Sequence, residues 1–97
     1  MLLSLHPLVQ KDLRGALDYY EREGGTKLPD RFFAEAELLV EAIQNDPRSF
    51  HFLDDFKRRA NFRSFPYHFI FELQIVQIRI TVLRHHKRNP RYGLRRN

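Results

Sequence analysis

Apolar residues in this chain recur every three to four positions up to Ile43 and every second position after Arg59. A period near 3.6 buries one stripe of a helix and a period of two buries one face of a strand, so the two patterns exclude each other locally. The chain therefore divides into a helical N-terminal half and a sheet-forming C-terminal half. After Pro7, Val9, Leu13, Ala16, Leu17 and Tyr20 form an apolar stripe that predicts a helix, with Gly24 and Gly25 as its stop. A second stripe opens near Pro29 and Asp30, runs through Phe32, Phe33, Ala36, Leu39, Val40 and Ile43, and closes at Asn45, Asp46 and Pro47. Two helices joined by a short Gly-containing link predict an antiparallel hairpin.

Further along, Arg59, Asn61 and Arg63 alternate with Ala60 and Phe62, predicting a strand with one polar and one apolar face. After Phe65 and Pro66, Tyr67, Phe69, Phe71 and Leu73 alternate with His68, Ile70 and Glu72. Ile78, Ile80 and Val82 then alternate with Gln77, Arg79 and Thr81. These consecutive strands predict an antiparallel meander. The turn near Gln74 and Ile75 has no Gly, Asn or Asp, which leaves the register of the last two strands open by a residue or more. Leu2 to Leu5, ended by His6 and Pro7, reads as a buried first strand. Residues 46 to 57 read as a loop that tucks Phe50, Phe52, Leu53 and Phe56 against the core. The expected fold is α+β, in the order β-α-α-β-β-β, with the hairpin on one face of a small antiparallel sheet. One domain spans residues 1 to 97, with a basic tail from about residue 86 in which Pro90 and Gly93 oppose regular structure.

Charge follows the same division. Residues 57 to 97 carry eleven Lys or Arg and one acid, Glu72, a net of +10, whereas residues 1 to 56 carry a net of −5. Clustered positive charge repels itself and usually faces an anionic partner. Strand period places Arg59, Asn61, Arg63, His68 and Arg79 on the sheet face away from the helices, and the tail adds Arg88 and Tyr92, so a shallow basic groove is expected. The helix acids, including Asp12, Asp18, Glu21, Glu23, Glu35, Glu37 and Glu41, read as solvated faces without chemistry.

Several function classes find no support. The chain has no cysteine, which removes disulfides and thiolate chemistry and suits a reducing compartment. His85 and His86 are adjacent on a strand and point to opposite faces, and no H-E-x-x-H motif accompanies them, so neither a metal nor another cofactor is expected. Gly24 and Gly25 end a helix rather than cradle a phosphate, and Ser4, Ser49 and Ser64 lie in no nucleophile elbow. Met1 is followed by only four apolar or small residues before His6, and no run reaches the ~18 apolar residues of a membrane span, so the chain reads as soluble and cytoplasmic.

Three pieces carry a family resemblance: the helical start after His6-Pro7, the segment Arg63-Ser64-Phe65-Pro66-Tyr67-His68-Phe69-Ile70-Phe71, and the ending Ile78-x-Ile80-x-Val82-x-x-His85-x-x-Arg88-x-Pro90. In this order they resemble the RelE/ParE superfamily of toxins from bacterial toxin–antitoxin modules, over nearly the whole chain. The resemblance implies a small toxin held inactive by a cognate acidic antitoxin that covers Arg59, Arg63 and Arg88. RelE-like members cleave ribosome-bound messenger RNA, whereas ParE-like members inhibit DNA gyrase. On the RelE-like pattern the basic pair of the first meander strand falls on Arg59 and Asn61, the next strand cation on Arg63, the Arg after Tyr67 on His68, the last-strand Arg on Arg88 and the tail Tyr on Tyr92. Asn61 and His68 thus stand where that pattern has cations. The Phe65-Pro66-Tyr67 opening and the His85-x-x-Arg88-x-Pro90 ending look closer to ParE-like sequences. The expectation is a ParE-like gyrase inhibitor that acts by binding. The alternatives are a ribosome-dependent endoribonuclease using Arg63, His68, His85, Arg88 and Tyr92 for proton transfer and phosphate contact, and a member that binds antitoxin without toxicity.

Overall fold

The computed structural model describes residues 1 to 97. Strand β1 (Leu2–Leu5) leads into helix α1 (Pro7–Gly24) and helix α2 (Lys27–Asn45), a single turn of 3₁₀ helix (Pro47–Ser49) follows, and strands β2 (Lys57–Asn61), β3 (Tyr67–Leu73) and β4 (Gln77–His85) complete the chain. The helices start and stop for local reasons. His6 caps α1 by accepting the Leu8 amide on Nδ1 at 3.1 Å, and Pro7 occupies the first turn, where a missing N–H costs nothing. Helix α2 begins at Lys27, before the expected Pro29, because proline is tolerated throughout a first turn.

The sheet order is β1-β4-β3-β2. Strands β2, β3 and β4 form the expected antiparallel meander, but β1 lies parallel to β4, so the sheet is mixed rather than antiparallel. The two helices carry the chain from β1 at one edge of the sheet to β2 at the other, and the meander then brings β4 back beside β1 in the parallel sense. As an edge strand β1 is not buried: Leu2 is 70% and Leu5 51% exposed.

The hairpin packs on one sheet face. Phe32 and Ile43 from α2 and Val9 and Ala16 from α1 meet Phe69, Phe71, Ile78, Ile80 and Leu83. Phe32 is fully buried and touches Phe62, Phe65, Tyr67 and Tyr20 with ring centroids 4.8 to 5.5 Å apart, so truncating it to alanine would cost about 3–5 kcal/mol. In the loop before β2, Phe50 packs on Phe71 as expected, but Phe52 and Phe56 remain exposed at 59% and 74%. Phe52 instead carries the Arg58 guanidinium 3.9 Å above its ring.

A register shift decides the second face. Ile70 pairs with Val82 and Phe71 with Ile80, so Thr81 is an extra residue on β4. From that bulge onward the inside and outside positions of β4 exchange. Leu83 enters the helix-side core, while Val82 joins Ile70 on the opposite face, where both are fully buried. That face is therefore not an open groove. The C-terminal residues cross it, with Gly93 seated so close to Val82 that a Cβ there would lie 2.5 Å from Val82 Cγ2.

Candidate functional site

Asp12 on α1 fastens the tail. Its carboxylate, with a side chain only 2% exposed, accepts the Leu83 amide at 3.1 Å, the Tyr92 hydroxyl at 2.6 Å and the Arg96 guanidinium at 2.6 and 3.2 Å. Beyond Leu5 the edge of β4 has no strand partner, and α1 fills the gap with this side chain. The tail is also held by Arg84, whose Nη1 donates to the carbonyls of Pro90 and Tyr92, and by Arg79, which donates to Ser4 and to the Asn97 carbonyl. Asp12 was expected on a solvated face and is instead the most engaged acid in the chain. Glu35 departs in the same way, since one carboxylate oxygen caps the amides of Arg63 and Ser64.

Beneath the tail lies a cluster of bases. Arg84 Nε donates to His68 Nε2 at 2.9 Å, His68 Nδ1 meets His86 Nδ1 at 2.9 Å, and Arg59 Nη2 donates to the same His86 nitrogen at 3.1 Å. Arginine has no acceptor, so each nitrogen it meets must be unprotonated. His68 is thereby fixed neutral with its proton on Nδ1, which it donates to His86 Nδ1, and His86 is neutral with its proton on Nε2. Burial, followed by the charges of Arg59 and Arg84, pushes the His68 pKa down to about 3, and burial and Arg59 also lower that of His86. His68 is only 1% exposed, so its expected place in an open row is corrected: the tail covers it and Arg84 occupies its ring.

The remaining expected residues scatter. Arg59 and Asn61 stay together on β2, joined by an Arg59 Nε to Asn61 Oδ1 bond of 2.8 Å. Arg63 lies past the end of β2, in the connection to β3, where it lines an open groove against α2 with Arg31, Glu35 and Leu38. Its expected strand position is lost because the β2 ladder ends at Asn61–His68. Tyr92 is half-buried, its ring between Arg88 at 3.9 Å and Arg96 at 4.9 Å. Burial and the bond to Asp12 raise its pKa, so its hydroxyl keeps its proton near neutrality.

Apart from Arg59, Asn61 and His68, which the cluster of bases gathers, the expected residues that converge are His85, Arg88 and Tyr92. They line a cleft of about 280 Å³ between α1 and the end of β4, with Lys11, Asp12, Gly15, Tyr67 and Arg84. His85 turns an edge toward Tyr67 and accepts the Lys87 amide on Nδ1 at 3.0 Å, which leaves its Nε2–H free to donate. Lys11 and Arg84 were assigned no role from sequence. That Lys11, next to Asp12 in the chain, shares a cleft wall with Gly15 one turn on is visible only once the helix is docked.

A chain from the chromosomal ParDE TA system of P. aeruginosa superposes on this fold with a TM-score of 0.78, at 16% identity, over 88% of this chain and 95% of that one. The β-α-α-β-β-β fold implied by the family resemblance is the fold observed, and it is shared with that chain. No family model matches the sequence, and no curated protein does.

Proposed function

We propose that this chain is the toxin of a type II toxin–antitoxin module, that it acts in the cytoplasm by binding DNA gyrase as ParE-like members do, and that an acidic antitoxin neutralises it. The observation that carries the binding mechanism is the dispersal of the groups a nuclease would use. His68 is buried and held neutral by an arginine, the Tyr92 hydroxyl is committed to Asp12, and Arg63 faces a separate groove. General acid–base catalysis needs its donor, acceptor and cation within hydrogen-bond reach of one reacting group.

The charge distribution supports a macromolecular partner. Of seventeen Lys and Arg only Lys57 and Arg96 form ion pairs with an acid. The exposed ones among the others, such as Lys11, Arg63 and Arg88, are available to steer an acidic antitoxin or target, chiefly through association rate and with strong salt dependence.

One observation favours the ribonuclease alternative: His85 with a free N–H and Arg88 share a cleft. Supercoiling by gyrase and cleavage of ribosome-bound messenger, assayed side by side with the purified chain, separate the two readings. Binding predicts lost supercoiling and intact messenger. Cleavage abolished by Arg88→Ala, with gyrase unaffected, would overturn the gyrase reading.

A further inference from the structure

Three of the four glycines have a reason inside the fold. Gly25 and Gly93 have φ of 68° and 78°, where side chains are strained, and a Cβ on Gly24 would lie 2.3 Å from Leu28 Cδ1. Gly15 has none. It sits in the middle of α1, and a Cβ there would meet no atom within 4 Å. A mid-helix glycine weakens a helix relative to alanine, so its presence on an empty wall calls for something outside the chain that comes close.

Gly15 lines the cleft that also holds Lys11, His85 and Arg88. Lys11 lies one helical turn before Gly15, on the same face. Neither Lys11 nor Arg88 has a carboxylate partner, and the one acid of the cleft, Asp12, is taken by the Leu83 amide, Tyr92 and Arg96. His85 offers an unused N–H, and Tyr67 supplies an aromatic wall. The cleft thus combines two free cations, a free neutral donor and an open helix wall, in a volume of about 280 Å³ that suits one small group rather than a large ligand.

We propose that this cleft binds a phosphate group, as inorganic phosphate or as the monophosphate of a nucleoside. Lys11 and Arg88 neutralise it, His85 donates to it, and Gly15 leaves room for its approach. Three donors converging from helix, strand end and tail match the several acceptor oxygens of a phosphate better than the single charge of a carboxylate. The site requires neither gyrase nor antitoxin, so it stands independently of the function proposed above.

The test is titration of the full isotope-labelled chain with sodium phosphate, adenosine monophosphate and sodium acetate, followed by amide and side-chain NMR shifts. Shifts centred on Lys11, Gly15, His85 and Arg88 are expected with both phosphates and not with acetate. Tighter binding of the nucleotide assigns the ligand to a nucleoside monophosphate, and equal binding assigns it to free phosphate. Lys11→Ala and Arg88→Ala should each weaken binding about tenfold, as for loss of one charged contact, whereas Lys27→Ala, an equal charge change on α2, should not. Gly15→Ala should raise the unfolding midpoint by about 3–6 °C while weakening binding. Absence of phosphate shifts at these residues, equal shifts with acetate, equal loss in Lys27→Ala, or a Gly15→Ala chain that binds as well as the parent would each overturn the proposal.

Discussion

Tyr92 donates its hydroxyl proton to Asp12 at 2.6 Å, joining residues 80 positions apart and closing the C-terminal tail over the sheet. The same carboxylate takes Arg96 and the Leu83 amide, so tail, first helix and last strand meet on one side chain. Asp12→Ala would leave the Leu83 amide and the Tyr92 hydroxyl unpaired in a nearly buried site and Arg96 with only the Thr81 carbonyl. The expected loss is about 3–5 kcal/mol, the range for breaking a buried pair. Urea unfolding measures the loss, and amide exchange should show that residues 90 to 97 lose protection before the core does.

Tyr92→Phe removes only the hydroxyl. It should cost about 1–2 kcal/mol in the same urea experiment and leave the proposed gyrase inhibition in place, because the ring still lies against Arg88 and Arg96.

His68 predicts a pH dependence. Its folded pKa of about 3 lies below the ordinary 6.5, so the unfolded chain binds the proton more readily. Stability from this residue is complete above about pH 6.5 and falls as pH drops from there toward 3. His68→Gln keeps an acceptor for Arg84 and a donor for His86 but does not titrate. The difference in unfolding free energy between parent and variant should therefore change across that window and level off above it. A difference that is flat between pH 3 and 6.5 would contradict the neutral, arginine-held ring.

Gly93→Ala places a Cβ 2.5 Å from Val82 Cγ2 on a residue whose φ is 78°. Strain and overpacking together should cost about 2–4 kcal/mol, read from the thermal or urea midpoint.

Glu35→Ala uncaps the link between β2 and β3 by freeing the amides of Arg63 and Ser64. A loss of about 1–2 kcal/mol is expected, comparable to losing a helix N-cap, and Gln should recover part of it.

The elements of this fold were legible because their residues obey local rules. Val9 to Tyr20 and Phe32 to Ile43 declare helices, Tyr67 to Leu73 declares a strand, and Pro7 with Gly24 and Gly25 brackets the first helix. What stayed hidden depends on distant partners. The bulge at Thr81 has no signal of its own, yet it sends Val82 to one face and Leu83 to the other, and an unbroken period of two misassigns both. Residues 90 to 97 read as a polar tail because Tyr92, Gly93 and Arg96 find their partners only when Asp12 and Val82 are already in place. His68 looked exposed for the same reason. The basic groove expected from strand period exists as a surface of the isolated sheet, and the tail fills it. Arg88 lies just past the end of β4, near where it was expected, but its neighbours Lys11 and Gly15 come from a helix that sequence period alone does not dock.

The most direct test of a binding toxin over a catalytic one is a paired assay of the purified parent chain and Tyr92→Phe, in gyrase supercoiling and in cleavage of ribosome-bound messenger. The prediction is that both proteins inhibit supercoiling and neither cuts messenger. Messenger cleavage by the parent that Tyr92→Phe abolishes, with supercoiling untouched by either, would contradict it.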